Sequence, residues 1–448
     1  MAEVSPFRGL RYDPEHAPDL GRILCPPYDV VDAALERRYR EQHEYNAIRL
    51  ELSMGSVADP PAGAGQGDDR YARAAETLWA WREAGILRQE AAAESFYLHE
   101  AEFDHQGARR VRRELVGQVR LEPWDRRVVL PHERTYDRPK ADRLRLLEAT
   151  RTNLSPILAF FPRVASTQDA LAAAWDWAEA RPAAVHGVDL DDVGHRLWVL
   201  QDPLLVDGLR RFFEDRPLFI ADGHHRYETA LRYQERSQAA TDSPSDSAGY
   251  VMMHLVAQDD PGLVILPIHR LLRGLDWLDA AELEERLSVE FHPEYFPLWP
   301  DAPPEQVDAY VAQLESQGQA DRVIGMYGPD PDIFAVVSLR DRRGSPASVP
   351  VDRDPSWQEL DVVLADEAVI RPLLAEGGLQ AEDAIDYTRD AHEAFALVRS
   401  RERALAVLLN PTRIEQVAAV ALAGERMPEK STYFYPKAPT GLVLRPLD

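Results

Sequence analysis

Three features of the sequence predict an α+β chain of mixed α/β character. Stretches with apolar residues at alternate positions are interspersed with stretches that repeat every third or fourth residue, the spacings of strands and helices. An apolar run, Pro217-Leu218-Phe219-Ile220, meets the helix-like Thr229-Ala230-Leu231-Arg232-Tyr233 across an Asp-Gly turn. No repeat of fixed period is visible.

In chain order, residues 70–85 predict a helix: Tyr71, Ala74, Leu78 and Trp81 share one face, and Gly85 is the stop. Residues 95–100 and 114–121 read as strands flanking the polar turn Asp104-His105-Gln106-Gly107. A helix over 141–151 and a buried strand over 155–161 follow. Beyond Asp222, the runs 250–256 and 263–266 predict a hairpin around Asp259-Asp260-Pro261-Gly262. From Gly274 onward helices over 279–287, 304–317 and 412–423 alternate with strands over 322–327, 334–339 and 404–409. Residues 58–69 and 241–247, rich in Pro, Gly, Asp and Ser, predict surface loops inserted within a domain.

Composition narrows the function classes. A chain of 448 residues is long enough for two or three domains. Lys and Arg number 51 against 76 Asp and Glu, a formal charge of −25. Such a surface repels nucleic acid and anionic lipid, yet leaves room for a local basic pocket that takes a small phosphorylated molecule. The single cysteine, Cys25, excludes an internal disulfide framework and a cysteine-based zinc cluster. The first residues lack the apolar stretch of a signal peptide. No apolar run reaches the roughly 20 residues that span a bilayer. The expectation is a cytoplasmic protein with a small-molecule substrate.

The most informative segment is Ile220-Ala221-Asp222-Gly223-His224-His225-Arg226-Tyr227-Glu228. Glycine permits a sharp turn and close approach of a ligand. A helix N-terminus offers unpaired N–H groups and a favourable dipole to an anion. A carboxylate, two imidazoles and a guanidinium crowded at this corner point to phosphate handling by Asp222, His224, His225 and Arg226. Neighbours in an extended chain, His224 and His225 point apart and make a poor pair of metal ligands. Asp222 beside a phosphate suits Mg2+, which favours oxygen ligands.

Other clusters add candidates. In Leu130-Pro131-His132-Glu133-Arg134-Thr135-Tyr136, Glu133 is placed to act as a general base, with His132 and Thr135 beside it. A capped turn with surface ion pairs accounts for the same pattern. Tyr136 stands where an H-E-x-x-H zinc motif needs its second histidine. Near the C-terminus, Met427 to Lys437 is basic, polar and aromatic at once. Lys430, Ser431 and Thr432 offer an ammonium and two hydroxyls to phosphate oxygens, although an aromatic terminal strand is the alternative. Cys25-Pro26-Pro27-Tyr28-Asp29-Val30 holds Tyr28 and Asp29 on a stiffened backbone. Asn46 and Arg49 lie on a strand-like stretch, and His269 with Arg270 closes the expected hairpin.

Asp222-Gly223-His224-His225-Arg226 resembles the Asp-Gly-His-His-Arg signature of the ADP-dependent free serine kinase family, within the ParB/sulfiredoxin-like superfamily. That resemblance implies a ParB/sulfiredoxin-like catalytic core with insertions over residues 1–273 and a further α/β domain over 274–448. It also implies a role for Glu133, matching the family's His-Glu pair, as base toward a serine hydroxyl, while Asp222 assists phosphoryl transfer. Sulfiredoxin chemistry is disfavoured because His224 replaces its cysteine, and DNA binding by the net charge. Over its whole length the chain is similar to the bacterial and archaeal domain-of-unknown-function family 1015. The segments carrying this are Pro26 to Val30, His132-Glu133 with Thr135, Asn153-Leu154-Ser155-Pro156, Ala221 to Tyr227, Pro267 with His269-Arg270, and Met427 to Lys437. The expected function is a phosphotransferase acting on a small hydroxylated metabolite, serine first, with a nucleotide or pyrophosphate as donor. A phosphatase or nucleotide hydrolase, and a non-catalytic nucleotide- or phosphometabolite-binding regulator, remain open.

Overall fold

The computed structural model describes residues 2–52, 70–90, 93–163, 169–240, 246–299, 303–341 and 344–447. The loop expected at 58–69, and 241–245 of the second loop, lie outside the described residues. Asp246–Gly249 of that second stretch begins a short 3-10 turn. The chain forms two compact units, neither of them a continuous segment. One comprises 1–131, 135–264 and 436–448, the other 132–134 and 265–435.

The first unit is built on a nine-stranded mixed sheet. Its strands are β1 (Val4–Ser5), β2 (Phe96–His105), β3 (Ala108–Arg120), β4 (Val129–Leu130), β5 (Ile157–Phe161), β6 (Val185–Val188), β7 (Gly194–Leu200), β8 (Leu218–Asp222) and β9 (Tyr250–Ala257). They run in the order β4-β8-β5-β9-β3-β2-β7-β6, with β1 on β3. The expected polar turn joins β2 and β3, which pair antiparallel from Tyr97 with Val116 to His105 with Ala108. Strand β5 is buried at every position, as its unbroken apolar run requires. Phe160 and Phe219 stack at 4.9 Å across β5 and β8, an arrangement worth about 0.5–1.5 kcal/mol beyond its buried area.

Two helices frame the Asp222 corner. Asp137–Thr150 (α1) starts earlier than expected, because Pro139 falls in its first turn, where a missing N–H leaves no helical bond unmade. His224–Ala240 (α2) begins directly after Gly223. Ion pairs between Arg232 and Asp137 and between Arg236 and Glu148 link α2 to α1.

Two local expectations are corrected. Asn46 and Arg49 lie in a turn and in the short helix Ile48–Glu51, not in a strand. The Asn46 side chain accepts from the Ile48 N–H at 2.9 Å and thereby favours the turn. The hairpin over 250–266 does not form. Strand β9 pairs with β3 and β5, whereas Val264–Leu266 pairs with Tyr433–Tyr435. Proximity in sequence loses to the buried register that β9 finds between β3 and β5.

The second unit holds a six-stranded sheet of His269–Leu272 (β10), Phe291–Pro297 (β11), Val323–Tyr327 (β12), Ile333–Leu339 (β13), Ile385–Thr388 (β14) and Leu405–Leu408 (β15). Its order is β11-β13-β12-β15-β10-β14, antiparallel throughout. Helices Ala280–Glu290, Pro304–Gly318 and Ile414–Ala423 stand close to where the periodicity places them. The chain as a whole is therefore α+β.

Candidate functional site

The corner in the first unit is shaped by two backbone irregularities. Opposite β5, Ile220 faces Ala159 while Asp222 faces Leu158, so Ala221 is an extra residue and β8 carries a bulge. A bulge bends its strand and re-aims the side chain that follows. Gly223 then adopts φ +99°, and a Cβ there would lie 3.0–3.2 Å from the Arg226 guanidinium. The positive φ favours glycine, and a methyl group there would press on the Arg226 guanidinium.

These distortions leave the Asp222 carboxylate between two cations. Its Oδ1 accepts from Lys437 Nζ at 2.6 Å, and its Oδ2 accepts from Arg226 Nη2. The Asp222 side chain is 12% exposed and that of Lys437 10%. Burial pushes the Asp222 carboxyl up, but Lys437 and Arg226 outweigh it and hold it well below the usual carboxylate range. Arg226, itself buried, also donates to the Pro156 carbonyl, which fixes its fork.

Further polar groups of the same unit surround the corner. His225 Nε2 accepts from the Tyr136 N–H at 2.9 Å, so its proton sits on Nδ1. Burial pushes its pKa down, opposed by Asp29, and the neutral form follows. Thr135 Oγ1 donates to Glu228 Oε2 at 2.6 Å, and Lys140 Nζ reaches both at 3.1 and 2.9 Å. The Arg143 guanidinium lies 4.2 Å from the centre of the Tyr28 ring and pairs with Glu51 at 3.1 Å. Behind Arg226, a cavity of about 60 Å3 is lined by Glu51, Arg143, Asn153, Ser155 and Thr229, room for a water rather than a metabolite. A cleft of about 870 Å3 lies elsewhere in the unit, along Val4, Arg210, Tyr250 and Arg445. It contains none of the candidate residues, and its size alone does not make it the reactive site.

The sequence candidates therefore separate. Tyr28, Asp29, Thr135, Asp222, His224, His225 and Arg226 belong to the first unit. Asn46 and Arg49 do as well, but Asn46 is wholly buried and its amide donates to the carbonyls of Arg22 and Leu24 at 2.8 and 3.0 Å. Arg49 donates to the Arg40 carbonyl at 2.9 Å. His132, Glu133, His269, Arg270, Lys430, Ser431 and Thr432 belong to the second unit. There His132 Nε2 meets Thr432 Oγ1 at 3.1 Å, and Ser431 Oγ donates to the Pro428 carbonyl at 2.6 Å. The buried Arg270 donates to the carbonyls of Glu429 and Lys430, both at 3.1 Å. His269 Nδ1 accepts from the Leu409 N–H at 3.2 Å.

Sequence reasoning missed Lys437, Lys140 and Glu228. One signal was available. The chain has only three lysines, at 140, 430 and 437, and the first and last of them are built into this corner.

Metal ligation has two candidates. Both Asp222 oxygens already face cations, so the residues present do not fit a magnesium ion held by that carboxylate as it stands. Among the described residues, His99, Glu114 and His254 bring donor atoms within 4.8 Å of one another, all buried. Arg112 already neutralises Glu114 at 2.6 Å, and a divalent ion would add uncompensated buried charge. No helix among the described residues is long and apolar enough to cross a membrane.

Fold and corner together define an α+β protein whose buried carboxylate is clamped by two cations at a strand-to-helix turn. The chain belongs to the family described as "Protein of unknown function (DUF1015)", matched over residues 4–363. A search of curated proteins finds no match. Solved structures with some likeness include a conserved hypothetical protein from Pyrococcus furiosus, at 14% identity and TM-score 0.32, covering 73% of this chain and 93% of that one. Free serine kinase in complex with AMP aligns at 13% identity and TM-score 0.32, over 72% and 88% of the two chains. SbnI with a C-terminal truncation, from Staphylococcus aureus, aligns at 14% and 0.33, over 73% and 86%.

Proposed function

We propose that this protein is a phosphotransferase that moves a phosphoryl group from a nucleotide or pyrophosphate to the hydroxyl of a small metabolite, with serine as the first acceptor to test. One observation carries the reading: Asp222 is held anionic between Lys437 and Arg226 at the N-terminus of α2. Phosphoryl transfer asks a protein mainly for positioning and for fixed positive charge where the transferred group gathers negative charge. Lys437 and Arg226 supply that charge at a spacing set by Asp222, and His224, His225 and the first turn of α2 add donors. In the transfer, the acceptor oxygen forms a bond to phosphorus while the donor's bridging P–O bond breaks. The hydroxyl proton passes to a base. Asp222 orients the reacting groups, and no step is routed through a metal.

Phosphorus NMR of the full chain with L-serine, Mg2+ and each of ADP, ATP and pyrophosphate tests the reading. A new phosphomonoester, absent with Asp222→Asn, supports it and identifies the donor. Orthophosphate alone turns the assignment to a hydrolase. Saturable binding with no product turns it to a regulator.

A further inference from the structure

Arg112 and Glu114 lie two residues apart on β3, hence on one face of it, and both are wholly buried. Arg112 Nε donates to Glu114 Oε1 at 2.6 Å. Glu114 Oε2 also accepts from Nδ1 of His99 at 2.7 Å and of His254 at 2.5 Å. His99 Nε2 meets His195 Nδ1 at 3.0 Å, and His195 Nε2 meets Asp189 Oδ2 at 3.0 Å. Glu114 is thus held from three sides, and Arg112 is held by Glu114. Burying a guanidinium costs several kcal/mol unless its geometry is well satisfied, so what this one grips is informative. Its Nη1 donates at 2.5 Å to the carbonyl of Pro436, 324 residues away.

That carbonyl lies in the peptide plane that carries the Lys437 amide. Gripping it fixes the direction in which Lys437 leaves the chain, and the locked φ of Pro436 stiffens the approach. A second anchor follows three residues on. Thr440 exchanges backbone hydrogen bonds of 2.8 and 3.2 Å with Cys25, and its hydroxyl meets Ser155 Oγ at 2.8 Å. Lys437 sits between the two anchors.

We propose that Arg112 is a positioning residue for Lys437: clamped by Glu114, it holds the Pro436 carbonyl so that the Lys437 ammonium stays on Asp222. The catalytic consequence rests on the phosphotransfer reading, whereas the positional claim stands apart from it.

Competitive acetylation of the full chain with trace acetic anhydride, read by mass spectrometry, tests the claim. Lys430 is exposed and serves as the internal reference, and Lys140 is buried in the same unit as Lys437. In Arg112→Gln the acetylation of Lys437 relative to Lys430 is expected to rise about fivefold, somewhat less than the tenfold of one pKa unit, with Lys140 unchanged. Glu114→Gln, which keeps the side-chain shape, gives a smaller rise at the same lysine and decides the matter if Arg112→Gln does not fold. No change at Lys437, or a parallel rise at Lys140 and Lys437, overturns the proposal, because a merely structural pair loosens the unit as a whole. With turnover in hand, Arg112→Gln is expected to lower kcat about tenfold with little change in acceptor KM, the mark of a misplaced group. A labelling shift in a protein that transfers no phosphate leaves the positioning intact and removes the functional reading.

Discussion

Lys437 Nζ lies 2.6 Å from Asp222 Oδ1 although the two residues are 215 positions apart. The final segment of the chain thus completes a corner that the middle of the chain begins. Arg226 approaches the other carboxylate oxygen, so both cations face the one carboxylate.

Asp222→Asn is therefore expected to act twice. Loss of the anion removes the carboxylate that both buried cations share, which costs about 3 kcal/mol of stability and shows as a lower urea midpoint. In the fraction that stays folded, phosphoryl transfer falls about 10²- to 10³-fold. A full rate in the variant would remove Asp222 from the chemistry.

Acid should reveal the same group. The folded carboxyl of Asp222 lies well below its ordinary value of 3.8, so the unfolded chain takes up the proton first as pH falls. The stability it contributes is complete above about pH 4 and is lost as pH drops further. Thermal midpoints measured from pH 6 down to about pH 2 should fall more steeply in the wild type than in Asp222→Asn.

Gly223→Ala tests the turn itself. The φ of +99° and the Arg226 guanidinium at 3.0–3.2 Å both oppose a methyl group. The expected loss is about 1–3 kcal/mol in chemical denaturation, with displaced Arg226 lowering any transfer rate. A variant of wild-type stability would mean that the turn relaxes without strain.

A second pH dependence belongs to His269. Burial, and then Arg270, bring its pKa from 6.5 down to about 4, and the neutral ring accepts the Leu409 N–H. Its stabilising contribution is full above about pH 6.5 and is lost as pH falls through about 4. His269→Gln should flatten the stability profile across that window, which melting curves at several pH values will show.

Asn46→Ala separates architecture from chemistry. Three hydrogen bonds to backbone groups are lost at a wholly buried side chain, for about 2–4 kcal/mol. Kinetic constants of the folded fraction are expected to stay at wild-type values. A change in KM alone would return Asn46 to the binding site.

Local sequence was a good guide wherever a segment's own side chains decide its structure. The apolar run Leu218 to Ile220, the turn glycine and the polar cluster after it foretold the strand, the bend and the helix of the corner. The spacing of Tyr71, Ala74, Leu78 and Trp81 foretold Arg70–Glu83. It failed for Asn46, whose polar amide looked available but is engaged by chain carbonyls. It failed again for β9, whose partners lie far off along the chain.

By itself, then, the sequence determined the α+β character, the strand-turn-helix corner and the concentration of carboxylate, imidazole and guanidinium side chains at Asp222 to Arg226. Periodicity and turn chemistry act over a few residues, and both are written in the chain directly. Only the tertiary structure decided that Lys437 joins Asp222, that Arg112 grips Pro436, and that Ala221 forms a bulge opposite Leu158 and Ala159. These contacts arise when distant segments are packed into one sheet and its coverings. Their partners are selected by burial and register across hundreds of residues, and no local pattern records that choice.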